Sequence, residues 1–137
     1  MGEFILHTLR GFPPFALYFV VAVALVAAFL RIYTWTTPYP ELELIRSGNT
    51  AASASLSGAL IGFVLPLAHS VAQSVNLVDM LIWGVIAMVV QLLTYVGVRL
   101  LVPGIVRDIP AGHVAQGVFL GAVSVATGLL NAACMTY

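Results

Sequence analysis

Four stretches without a charged residue divide this chain, and each is long enough to cross a bilayer as a helix. No charge occurs between Arg10 and Arg31, Arg46 and Asp79, Asp79 and Arg99, or Asp108 and Tyr137. A helix needs about 20 apolar residues to cross the roughly 30 Å hydrocarbon layer. Hydrophobic residues make up 61% of the chain and charged residues 7%, against about 25% charged in a soluble domain. A water-soluble core of this size cannot hide so much apolar surface, whereas lipid solvates it. The expected fold is therefore all-α, a polytopic membrane protein. Residues 1–137 form a single membrane domain with four transmembrane helices, and the lipid bilayer is its first partner.

Prolines, glycines and polar caps set the expected limits. Residues 1–12 mix Phe4, Ile5, Leu6 and Leu9 with Glu3, His7 and Arg10, the pattern of a short helix lying at the interface. Pro13-Pro14 ends it and opens a first span at about 14–36. Tyr33 and Trp35 mark the far end of that span, at headgroup level. Glu41 to Arg46 reads as a turn or two of amphipathic helix on the membrane surface, closed by Gly48. Asn49 caps the second span at about 50–75, which Pro66 should bend. Asp79 is expected to cap the third, about 80–102, and Gly112-His113 leads into the fourth, about 113–135.

Charge orients the chain. The first and third connections with their flanks hold Arg31, Arg46, Arg99 and Arg107, and the opposite side holds Arg10 alone. The positive-inside rule places those connections in the cytoplasm and both termini outside. The first span is read as a retained anchor, since its apolar region exceeds a signal peptide's and Arg31 follows it. Zero formal net charge without a basic run argues against nucleic acid. The single cysteine, Cys134, excludes an internal disulfide.

Sliding the chain by 64 residues aligns the second span with the fourth. Gly48 meets Gly112, Asn49 meets His113, Ala51 meets Ala115, Leu56 meets Leu120 and Leu65 meets Leu129. This suggests two tandem two-helix repeats running in the same direction. Gly58 and Gly62 on one span, and Gly117, Gly121 and Gly128 on the other, form small-residue stripes. Such stripes let helix backbones approach closely in lipid, within a subunit or between subunits of a homo-oligomer.

Several words in the chain are shared with a known group. Ile45-Arg46-Ser-Gly48-Asn49-x-Ala51, then Trp83, Gln91 and Arg99, and finally Gly128-Leu-Leu-Asn131-Ala-Ala-Cys-Met135 carry the similarity. The chain resembles the YjfL family of small bacterial inner-membrane proteins, a domain of unknown function. The resemblance covers the second to fourth spans. It implies four spans, a repeated two-helix unit and a bacterial cytoplasmic membrane. It implies no activity, because the family has no established catalytic or transport residues to carry over. An association with envelope-stress and polyamine-related gene clusters goes with it.

The chemistry-bearing residues are few. No His-x-x-x-His pair, Gly-x-Ser-x-Gly elbow or phosphate loop occurs, so no enzyme, metal or cofactor is expected. No acid lies at mid-depth; Glu41, Glu43, Asp79 and Asp108 all fall near an edge. Gln91 is the deepest strong polar side chain and must bond another helix or line a route, and Asn131 stands in the same position near the outer end. Asn49 and His113, with Arg46 and Arg107 just before them, place two helix N-termini side by side in sequence register. That constellation suits an anion or an acidic partner as well as plain capping and anchoring. Two functions stay open: a small oligomeric transporter or channel-like component with Gln91, Asn131 and Asn49 near its route, or a scaffold. The scaffold would recruit a cytoplasmic protein partner through residues 37–50 and 103–113.

Overall fold

The computed structural model describes residues 1–135, and all regular structure among them is helical. The elements are α1 (Gly2–Arg10), α2 (Phe12–Thr36), α3 (Glu41–Arg46), α4 (Thr50–Gln73), α5 (Leu77–Leu101), α6 (Ile105–Asp108) and α7 (Val114–Cys134). Four helical stretches are long and apolar enough to cross a membrane: Gly2–Thr36, Thr50–Gln73, Leu77–Leu101 and Val114–Cys134.

One cap differs from the sequence reading for an identifiable reason, while Pro13-Pro14 fall where the first span begins. The prolines occupy the first turn of α2, where a missing N–H leaves no hydrogen bond broken. Gly11 between the helices (φ −78°, ψ −11°) makes a single turn, its N–H donating to the Thr8 carbonyl at 3.2 Å. At the start of α5 the cap is Asn76, not Asp79. Asn76 Oδ1 accepts the Asp79 N–H at 2.9 Å, and Asp79 Oδ2 accepts the Val75 N–H at 3.3 Å. Asn76 thus satisfies a free first-turn donor of α5 while Asp79 reaches back to the residue before the cap, which moves the helix start back to Leu77.

The bundle is organised around α4 and α7. The buried side of α7 is a stripe of Gly117, Leu120, Gly121, Ser124 and Gly128, spaced three to four residues apart. A Cβ on Gly117 would run into the backbone of Ala51, lying 2.7 Å from its Cα; one on Gly58 would meet Gly121, and one on Gly128 would meet Gly62. Partners rise together along both helices, so α4 and α7 are parallel and in backbone contact. Pro66 adds a reason for this at Gly62. It offers no N–H to the Gly62 carbonyl, and the freed oxygen is the atom that Gly128 abuts.

The turns leading into these helices have the same geometry. Before α4, the N–H groups of Ser47, Gly48 and Asn49 donate to the carbonyls of Glu43, Ile45 and Leu44. Before α7, those of Ala111, Gly112 and His113 donate to Arg107, Ile109 and Asp108. Gly48 (φ 88°) and Gly112 (φ 84°) supply the left-handed residue that each turn requires. Asn49 ties the two turns together by donating Nδ2–H to the carbonyls of Ile109 (3.0 Å) and Pro110 (3.2 Å). These turns define one end of the bundle, called here the two-loop end.

The remaining long helices pack around this pair unequally. α5 is buried along Met80, Gly84, Ala87, Met88, Gln91, Tyr95 and Val98. α2 buries only Phe29 and Tyr33, both near the two-loop end. Towards its other end it stands off from α4 across open apolar clefts of about 410 and 330 Å³. Phe19 and Ala22 of α2 face Val71 of α4 there.

Backbone contact leaves no room for a methyl group at the α4–α7 seam. Gly58→Ala should lower stability by about 1–3 kcal/mol, the usual effect of overpacking. Gly97→Ala, where a new Cβ meets nothing within 4 Å, should leave it unchanged or raise it slightly. Thermal unfolding of the two variants in detergent checks the difference.

Candidate functional site

The link between α2 and α3 reads Thr37-Pro38-Tyr39-Pro40-Glu41, and its prolines dictate its shape. A residue before proline is held extended, so Thr37 and Tyr39 cannot continue the helix. Extended backbone sends alternate side chains to opposite sides. Pro38 and Pro40 accordingly face outward, while Thr37, Tyr39 and Glu41 point into the protein. Glu41 ends up 1% exposed and Tyr39 6%.

Aromatic side chains form the walls around them. Phe29 of α2 stacks on Phe63 of α4 with ring centroids 4.5 Å apart. One turn on, Tyr33 meets Tyr95 of α5 edge-on at 5.7 Å. Arg99 lies one further turn along α5, exposed, with its charge reaching Tyr95. The hydroxyls of Tyr33, Tyr39 and Tyr95 and both carboxyl oxygens of Glu41 are buried without a hydrogen bond of good geometry. The Tyr39 and Tyr95 hydroxyls nevertheless lie near enough to interact, as do the Thr37 hydroxyl and the Glu41 carboxyl. Thr37, the hydroxyl beside Glu41, directs its donor to the carbonyls of Thr34 (3.2 Å) and Tyr39 (3.4 Å) instead.

Five unpartnered oxygens in a dry, aromatic setting disfavour negative charge. Burial pushes the Glu41 carboxyl up from 4.5 to about 8, and the nearby Thr37 hydroxyl only partly opposes this. Burial pushes the Tyr39 phenol upward too, reinforced by Tyr95, Glu41 and Tyr33. At neutral pH Glu41 is thus mostly a neutral acid, able to lose its proton within the physiological range.

The sequence reading missed this site by taking Glu41 to Arg46 as an amphipathic helix on the membrane surface. α3 has only six residues, so docking rather than amphipathic pattern decides which of them is inside: Leu42 is 60% exposed while Glu41 is buried. Two signals were available. One was the alternating prolines. The other was the 64-residue shift, which sets Glu41 against Ile105, a residue 0% exposed. Where one turn buries isoleucine, its counterpart buries an acid.

The residues singled out from sequence are distributed as follows. Gln91, 1% exposed, sits where α5 meets α4 and α7; its Nε2–H donates to the Ser124 carbonyl at 3.0 Å, and its Oε1 has no partner. Asn131 is half-buried, with Nδ2 unpartnered. Asn49 caps α4 by accepting the Ala52 N–H at 2.9 Å, so with its two donated bonds the amide is fully engaged. His113 occupies the cap position of α7 without making the cap bond, and its Nδ1 lies 3.4 Å from Asp108 instead. Arg46 and Arg107 are exposed at the same end. Beside Asn49, the two turns enclose a recess of about 340 Å³ lined by Ser47, Thr50 and Ala111 among others. Gly58, Gly62, Gly117, Gly121 and Gly128 all lie in the α4–α7 seam inside one chain.

Residues 7–135 match the family model described as Domain of Unknown Function (DUF350). The chain is 43% identical over 132 residues to the UPF0719 inner membrane protein YjfL of Escherichia coli (strain K12), covering 96% of this chain and 100% of that protein. It is 33% identical over 88 residues to the UPF0719 transmembrane protein YshE of Bacillus subtilis (strain 168), covering 64% of this chain and 66% of that protein. No solved structure matches.

The raised Glu41 pKa has a definite consequence for stability. Between 4.5 and about 8 the folded chain holds a proton that the unfolded chain has lost. Stability therefore falls as pH rises through this window and levels off above it. Glu41→Gln should flatten the decline and melt above the wild type at pH 9, as thermal unfolding at pH 5 to 9 would read.

Proposed function

The chain belongs to the DUF350 family, and from that premise we propose that it is the subunit of a small oligomeric transport component of the bacterial inner membrane, coupled to proton binding at Glu41. The observation that carries this reading is a carboxyl group buried without a partner in a membrane protein. Ionisable groups held inside such proteins are expensive, and they commonly mark proton relays and ion pathways. The count of arginines puts the two-loop end, and with it Glu41, on the cytoplasmic side, with both termini outside.

The packing supports a division of labour. The α4–α7 seam is closed by backbone contact, so no water path runs between those two helices. α2 is the helix held least: it buries only Phe29 and Tyr33 fully, lays Ala22, Leu25 and Val26 half-buried on the core, and borders open apolar clefts towards its start. Losing the Glu41 proton places a charge beside Tyr33. The charge weakens this hold and lets α2 shift against α4 and α5. One subunit is too small to enclose a wet channel, so the conduit lies between copies or beside α2. The matched turns before α4 and α7 support descent from a duplicated two-helix unit, in which Glu41 is the departure that gives one half its function.

The recess between the two turns, flanked by exposed Arg46 and Arg107, supports the second reading, a scaffold that recruits a cytoplasmic protein. Proteoliposomes separate the two. Transport predicts ion or polyamine flux that responds to internal pH and is lost in Glu41→Gln, which keeps the shape of the side chain but cannot release a proton. Silence across inorganic ions and polyamines would favour the scaffold.

A further inference from the structure

We propose that Glu41 and the hydroxyls of Tyr33, Tyr39 and Tyr95 form a binding site for a dehydrated alkali-metal cation, which competes with the proton for the same carboxylate. The inference deepens the transport reading by naming the ion, and it rests on that reading only for its role in flux.

The donor set argues the chemistry. All five unpartnered atoms are oxygens, and hard oxygen ligands suit hard cations rather than transition metals, which favour nitrogen and sulfur. No group of three or more His, Cys, Asp or Glu residues able to hold a metal occurs among the described residues. A single carboxylate supplies one negative charge, which balances a monovalent ion and leaves a divalent one half-neutralised.

Charge balance supplies the need. The groups facing Glu41 are Tyr33 from α2, Tyr39 from the link, and Tyr95 with the more distant Arg99 from α5. α4 contributes no charge, since Thr50 to Phe63 carry no ionisable side chain. Glu43, Arg46 and Arg31 are exposed, and no ion pair to Glu41 occurs among the described residues. The chain contains no lysine. Once the proton leaves, no protein cation replaces it, and a buried bare carboxylate is too costly to persist. A small cation admitted from the cytoplasm fills that role. Tyr39 and Glu41 both sit on the short link, so modest movement of one segment adjusts the oxygens around it.

Thermal unfolding of the full chain in detergent tests this in sodium, potassium and N-methylglucamine chloride at constant ionic strength. At pH 9, sodium or potassium should raise the melting temperature over N-methylglucamine by roughly 3–6 °C near tenfold saturation. The increment should disappear in Glu41→Gln, shrink in Tyr95→Phe, and diminish for the wild type at pH 6, where protons occupy the carboxylate. Equal melting in all three salts at pH 9 would overturn the cation site, as would an increment that survives in Glu41→Gln. Flux that follows pH without any cation effect on melting would leave the proton reading standing alone. A cation increment without flux would uphold the site and remove the transport reading.

Discussion

Backbone-to-backbone contact between α4 and α7 is the constraint on which the rest of this structure depends. In lipid, burying apolar side chains gains little, because the hydrocarbon outside is as apolar as the core. Close approach of two helices must therefore supply the packing energy, and glycine is the residue that permits it. Once Ala51, Gly58 and Gly62 lie against Gly117, Gly121 and Gly128, the order of the bundle follows. Gln91 reaches the Ser124 carbonyl across the same junction, so α5 is docked by a hydrogen bond as well as by shape. The two turns preceding the paired helices come side by side, where Asn49 joins them.

α2 stands outside this arrangement. It has no glycine stripe and buries two aromatic residues, Phe29 and Tyr33, on the stack that runs from Phe63 to Tyr95. Its hold on the bundle is concentrated at one end, and the Pro38–Pro40 link delivers Tyr39 and Glu41 into that hold. The chain thus places its buried acid beside the only two residues that α2 buries fully. On the proposed reading a charge there acts on the contact that holds α2, whereas at the α4–α7 seam it would meet a continuous line of backbone contacts.

Much of the fold is legible without coordinates, because the responsible physics is local. Spans follow from apolar length, Asn49 from the need of a first helical turn for an acceptor, and Gly48 and Gly112 from turns that need positive φ. The prolines stand in the first turn of the first span as expected, and the cap of α5 differs for an equally local reason: Asn76 makes the cap bond and Asp79 reciprocates it. The site was less legible. A six-residue helix carries too little periodicity to declare its inner face, so Glu41 beside Leu42, Glu43 and Leu44 resembles an ordinary surface pattern. Only the alternating prolines and the counterpart Ile105 contradict that impression.

The amino-acid sequence by itself determined the medium, the number of crossings and the small-residue stripes that select which helices approach closely. Those properties depend on composition and spacing, and no distant contact can reverse them. The tertiary structure alone decided that Tyr33, Tyr39, Glu41 and Tyr95 are buried together. They come from two long helices, the link after α2 and the first residue of α3, and whether a carboxyl group meets water or aromatic rings depends on what the rest of the chain folds against it.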